Sequence, residues 1–129
     1  MIFLLADDSR PTRNLLKSYI MDLRLGHTPE FIEVEKAEDI LTILQTKRVD
    51  FIFLDWFFNT PMTGLDVLQE LRNIVHFKQL PVIMVTCASD KDNVIIALKA
   101  GANDFIVKPI DQKIFIKKTM QVINSVRYA

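Results

Sequence analysis

The sequence predicts a doubly wound α/β domain built on a five-stranded parallel sheet. Three observations carry that reading. Five short apolar runs alternate with five longer segments of helical period. Four of the runs are almost continuously apolar, as in strands covered on both faces. No internal repeat, low-complexity tract or linker interrupts the alternation, and glycine occurs only three times.

The first strand is expected over Ile2–Ala6, bounded by Asp7 and Asp8. A helix follows, with Pro11 suited to its opening turn and Leu15, Leu16, Tyr19, Ile20 and Leu23 on one face. Phe31-Ile32-Glu33-Val34-Glu35 reads as the second strand; its partial alternation suggests an edge position. The second helix carries Ile40, Leu41 and Leu44, and the third strand is Phe51–Leu54. Thr63 and Asp66 have the spacing of a capping box ahead of Leu65, Leu68, Leu71 and Val75. The fourth strand is Val82–Thr86. Ser89-Asp90-Lys91-Asp92 offers a cap-like start to the fourth helix, and Ala100-Gly101 a glycine stop. Asp104–Val107 is the fifth strand, and the last helix begins at Asp111 with Ile114, Phe115, Lys118, Val122 and Val126.

At 129 residues, half of them apolar and a quarter charged, the chain is long enough for one real core and is ordinary globular material. Sixteen basic and sixteen acidic residues cancel, so no excess charge draws it to nucleic acid or to a membrane surface. Cys87 is the only cysteine, which excludes an internal disulfide and suits a reducing cytoplasm. It is expected to be a small buried hydrophobe. No apolar run approaches the roughly 18 residues a membrane span needs. The opening apolar stretch is too short and wrongly flanked for a signal peptide. The expectation is a single cytoplasmic domain.

Five βα units imply right-handed crossovers, with ligands bound beyond the carboxyl ends of the strands. That rule singles out Asp7-Asp8, Asp55, Thr86 and Lys108-Pro109, which follow or end four different strands. Alone, each is bland: a helix-entry acid pair, a strand-end aspartate, a hydroxyl satisfying its own backbone, a turn. Together they are not. Two carboxylates about 4 Å apart cost roughly 4 kcal/mol at an effective dielectric near 20. Either their pKa values rise or a cation sits among them. Oxygen-only ligands favour Mg²⁺, and Lys108 adds a point charge suited to a phosphoryl oxygen. The set reads as a phosphoryl-transfer site.

The chain resembles the receiver domain of two-component response regulators, especially stand-alone CheY-like members. The matching pieces are Leu5-Ala6-Asp7-Asp8-Ser9, Phe53-Leu54-Asp55-Trp56, Pro61-Met62-Thr63-Gly64, Val85-Thr86-Cys87-Ala88, Ala100-Gly101-Ala102-Asn103-Asp104-Phe105 and Val107-Lys108-Pro109. The resemblance implies a flavodoxin-like sheet of strand order 2-1-3-4-5. It also implies one receiver domain over residues 1–129, with no effector domain in this chain. Asp55 would be the phosphoacceptor. Asp8, Asp55 and the backbone carbonyl of Phe57 would bind Mg²⁺, with Asp7 acting through water. Lys108 would pair with the phosphoryl group, and the Lys108–Pro109 peptide would be cis. Thr86 and Phe105 would form the switch pair. A sensor histidine kinase or histidine phosphotransfer protein would donate the phosphoryl group. A downstream target would dock on the face made by the fourth helix, fifth strand and fifth helix.

One departure stands out. The family usually has a proline four residues after the acceptor and a glycine eight after it, whereas Pro61 stands six and Gly64 nine after Asp55. Phe57 and Phe58 also make this loop apolar. Three other functions compete. A phosphohydrolase using Asp55 would want an acid where Phe57 stands, and a flavin domain would not place Asp7-Asp8 in its phosphate loop. A receiver that binds without phosphorylation would not need every reactive position. Trp56 is expected to be a half-exposed packing residue. His27 and His76 are expected at the surface, and Lys113, Lys117 and Lys118 on a solvated face.

Overall fold

The computed structural model describes residues 1–87 and 91–127, and the expected cap at Ser89-Asp90 lies outside them. Five strands, β1 (Ile2–Ala6), β2 (Glu30–Val34), β3 (Phe51–Leu54), β4 (Val82–Thr86) and β5 (Asp104–Val107), form one parallel sheet ordered β2-β1-β3-β4-β5. The flanking helices are α1 (Arg10–Met21), α2 (Ile40–Thr46), α3 (Gly64–Asn73), α4 (Lys91–Lys99) and α5 (Gln112–Arg127). This is the doubly wound, flavodoxin-like order expected. Among the described residues no helix is long and apolar enough to cross a membrane.

The period of two along each strand divides the core between the sheet's faces. Phe3, Leu5, Phe51, Phe53, Ile83, Val85 and Ile106 pack with Leu16 and Ile20 of α1 and Phe115, Val122 and Ile123 of α5. Leu4, Ala6, Ile52, Leu54, Met84 and Phe105 face the other way, against Ile40 and Leu44 of α2, Leu68 and Leu71 of α3 and Ala97 of α4. The Phe51 and Phe53 rings lie 5.0 Å apart, and Phe115 lies 5.2 Å from Phe53. Aromatic stacking thus anchors α5 to the middle of the sheet.

Local signals explain the helix ends. The Ser9 side chain accepts from the Thr12 amide, with Pro11 in the first turn of α1. Thr63 and Asp66 form the reciprocal capping box of α3. Asp111 accepts from the Ile114 amide at the start of α5. Gly101, at φ +110°, ends α4 in a conformation a side chain resists.

Several expectations need correction. The second strand begins and ends one residue earlier than expected, over Glu30–Val34. Leu15, Ile114 and Val126 sit on the rims of their helical stripes and are exposed, while Val75 lies beyond α3 in a short 3₁₀ turn and is the most exposed of the four. Trp56 is buried at 8% exposure and belongs to the core, because the chain after β3 turns back beneath α3. Cys87 is exposed, since it follows β4 out of the sheet. His27 and His76 are at the surface as expected.

Candidate functional site

Backbone pairing continues one residue past the strands and thereby sets the site. Ala6 is in register with Leu54, and Thr86 with Val107. Beyond them the Asp55 amide donates to the Ala6 carbonyl at 2.9 Å, and the Asp7 amide to Val34 at 3.0 Å. The Lys108 amide donates to Thr86 at 3.0 Å. Four strand ends therefore deliver Asp7, Asp55, Thr86 and Lys108 to one edge, as the sheet rule requires.

Carboxylate oxygens of Asp7, Asp8 and Asp55 all lie within 4.8 Å of one another. Asp7 and Asp55 are buried, at 2% and 5% exposure, and Asp8 is the most open of the three. The Lys108 ammonium bridges the two buried acids, 2.9 Å from Asp7 Oδ2 and 3.1 Å from Asp55 Oδ2. Asp7 Oδ1 accepts from the Ser9 amide, and Asp55 Oδ1 from the Phe57 amide. Asp8 has no hydrogen-bond or ion-pair partner among the described residues, which leaves its carboxylate available to a cation.

The electrostatics follow from burial. Desolvation, then the charge of Asp7, push the Asp55 carboxyl above its ordinary range, against the pull of Lys108 and the Phe57 amide. Burial by itself would pull the Lys108 ammonium down; its hydrogen bond to Asp7 and the charges of both acids more than offset this and hold it above normal. One ammonium cannot neutralise three carboxylates. All-oxygen donors with an open member suit a hard divalent ion that keeps waters, so the donor set fits Mg²⁺.

A shallow cavity of about 170 Å³ over the cluster is lined by Asp8, Asp55, Phe57, Phe58, Asn59, Thr86, Cys87 and Lys108. Phe57 stands at its mouth, 55% exposed. Gly64 makes the loop possible: its amide donates to the Trp56 carbonyl at 2.7 Å, and a Cβ there would fall on the Asp55 carbonyl oxygen. Thr86 and Phe105 are both buried, and register puts them on the same sheet face, Phe105 beside Met84 and Thr86 two residues on. The Lys108–Pro109 peptide is cis.

Sequence reasoning missed two participants. Arg13 is buried at 4% exposure, and its guanidinium donates to the Asp7 carbonyl at 2.8 Å. Lys118, expected on a solvated face, donates to the Phe105 carbonyl at 2.6 Å and pairs with Asp104 at 3.4 Å. The four-residue spacing of Arg13 and Lys17 opposite Glu33 and Glu35 was the available signal for the first. Nothing local marked the second.

A parallel sheet of this order, with acids and a lysine gathered at its carboxyl edge, defines a class of signalling domain. A family model of the response regulator receiver domain matches residues 3–120, and the chain belongs to that family. Among its relatives, the chemotaxis protein CheY of Pseudomonas aeruginosa is 33% identical over 127 residues, covering 98% of each chain. A response regulator from Chloroflexus aurantiacus has a similar structure, with TM-score 0.84 and 20% identity over 95% of this chain and 97% of the other. The Mn²⁺-bound form of response regulator Rcp1 has TM-score 0.77 and 22% identity over 94% of this chain and 90% of the other. Membership of this family puts the chain in two-component signalling.

Proposed function

We propose that this chain is a phosphoacceptor switch in which Asp55 takes a phosphoryl group from a phosphohistidine. The donor would be a sensor histidine kinase or a histidine phosphotransfer protein in the cytoplasm. The observation that carries the reading is the contact of one ammonium, Lys108, with both Asp7 and Asp55 beside the open carboxylate of Asp8.

An Asp55 carboxylate oxygen attacks phosphorus, the P–N bond breaks, and its electron pair stays on the imidazole nitrogen. Asp8, Asp55 and the Phe57 carbonyl would hold Mg²⁺, with Asp7 acting through water; the ion would supply charge neutralisation for the phosphoryl oxygens. Lys108 pairs with one such oxygen and Thr86 donates its hydroxyl to another. Phe57 has no proton to give a leaving group, which favours a switch over a phosphohydrolase.

The new phosphoryl group carries about −1.5 to −2 charge in place of the carboxylate's single one, so roughly −0.5 to −1 is added beside Lys108. Thr86 and Phe105 lie on one face and are buried, so any movement of the hydroxyl towards the phosphate must be matched by the ring. The result is a population shift between two packings, which a partner can read. The output face is α4, β5 and α5. There a groove of about 550 Å³, lined by Val94, Phe105, Val107, Ile114 and Lys117, adjoins the switch ring.

Incubation with acetyl phosphate and Mg²⁺ followed by intact-mass measurement tests the proposal. Wild type should gain one phosphoryl group and Asp55→Asn none. Equal labelling of the two, or none in either, would overturn it.

A further inference from the structure

We infer that Arg13 is a positioning residue for the divalent-cation site, locking the Asp7–Asp8 peptide against the acidic end of β2. The inference rests on the Mg²⁺ reading of the Asp7, Asp8 and Asp55 cluster.

The arrangement begins in the sequence. Glu33 lies in β2 and Glu35 just past its end; two apart in extended chain, both turn to the face opposite buried Val34. Arg13 and Lys17 are four apart, so a helix presents both on one side. Parallel pairing of β1 with β2 brings those faces together. Arg13 Nε lies 3.0 Å from Glu33 and Nη2 3.1 Å from Glu35, while Lys17 sits 2.7 Å from Glu33. The remaining terminal nitrogen, Nη1, donates to the Asp7 carbonyl at 2.8 Å.

That carbonyl belongs to the peptide plane joining the two acids. Holding it fixes ψ of Asp7 and φ of Asp8, and with them the directions in which both carboxylates leave the backbone. The neighbouring contacts bind the same unit from other sides. The Asp7 amide is held by Val34 at 3.0 Å, and Asp7 Oδ1 by the Ser9 amide at 2.8 Å. Among the described residues the Asp8 carboxylate has no hydrogen bond or ion pair to orient it, so backbone restraint is what aims it. A buried guanidinium is costly unless all its donors are used. Here its fork spans a main-chain oxygen at the site and two glutamates, one on the edge strand and one just past it, a geometry an ammonium cannot reproduce.

Two physical effects of Arg13 on a bound cation have opposite signs, and this makes the inference testable. As a charge, Arg13 repels Mg²⁺, so removing it should tighten binding. As a positioning group, it preorganises the ligands, and loss of such outer contacts typically weakens metal binding about 10- to 100-fold. Calorimetric titration with MgCl₂ at 25 °C on wild type, Arg13→Met and Arg13→Lys separates the two. Melting in EDTA checks that each variant is folded. We expect Arg13→Met to bind Mg²⁺ about tenfold more weakly, and Arg13→Lys, which keeps the charge, to be weakened in the same direction. Should Arg13→Met fail to fold, Arg13→Lys alone decides. Binding by Arg13→Lys equal to wild type, or tighter binding by Arg13→Met, overturns the positioning role while leaving the Mg²⁺ reading intact. Absence of Mg²⁺ binding by wild type overturns both.

Discussion

Replacing Asp55 with asparagine should make the metal-free protein more stable, although it destroys the proposed acceptor. The carboxylate oxygens of Asp7, Asp8 and Asp55 lie within 4.8 Å of one another. At an effective dielectric near 20, each charged pair at that separation costs about 3.5 kcal/mol or more. Lys108, 3.1 Å from Asp55, returns about 5 kcal/mol on the same scale. Asparagine relieves both repulsions and the desolvation of a buried charge, while its amide oxygen still accepts from Lys108. Screening around the open Asp8 reduces the gain. The expected net stabilisation is about 1–2 kcal/mol, or several degrees in Tm.

The pH dependence has a definite sign. Burial and Asp7 raise the Asp55 pKa on folding, so the folded chain keeps that proton to higher pH than the unfolded one. The penalty is absent at low pH, grows as pH rises past the ordinary value of 3.8, and is complete above the raised folded value. The advantage of Asp55→Asn in EDTA should therefore be larger at pH 7 than in acid and shrink as pH falls through that window. Mg²⁺ should raise the wild-type Tm and close the gap, because it binds the folded acids and not the unfolded chain. Melting of both proteins by circular dichroism, in EDTA and in MgCl₂, checks this. A lower Tm for Asp55→Asn in EDTA at pH 7 would refute the reasoning.

Phe57→Asn should shorten the life of the aspartyl phosphate, because an amide at the mouth of the site can hold the attacking water where a ring excludes it. One hydrogen bond worth about 1 kcal/mol corresponds to roughly fivefold faster decay, and equal decay by intact-mass time course would count against the idea. Gly64→Ala should cost about 2–3 kcal/mol and disturb the acceptor loop, since the new methyl falls on the Asp55 carbonyl and within 3.1 Å of Trp56 Cα. Urea denaturation with an unchanged midpoint would contradict that. The Thr119 hydroxyl is buried without a hydrogen-bond partner among the described residues, so Thr119→Val should stabilise the fold by about 1 kcal/mol. A loss of stability on thermal melting would show that the hydroxyl has an acceptor in solution.

Most of the fold was legible because parallel strands covered on both faces leave continuous apolar runs, and these bounded four strands to the residue. The site was legible for a related reason. In a parallel sheet every strand points the same way, so residues just past the strand ends must converge, however far apart they stand in sequence. Asp7, Asp55, Thr86 and Lys108 needed only the strand boundaries to be placed together. Side-chain burial on helices was harder to read, because a helical stripe has no sharp margin. Leu15, Ile114 and Val126 have the right period, but at the rim of the stripe water wins.

The residues that escaped notice share a physical feature. Arg13 and Lys118 each spend a positive charge on a backbone carbonyl, that of Asp7 and that of Phe105. A charged residue on a helix is usually solvated, and composition contains no trace of the carbonyl that will receive it. Only register and crossing geometry decide. Yet the two contacts fall on either side of the chemistry: one at the peptide joining the two acids, the other at the backbone of the residue whose ring is proposed to move. The acids and the lysine at the strand ends can account for taking up a phosphoryl group. The proposed aiming of those acids rests on a cation, Arg13, that the sequence disguises as surface.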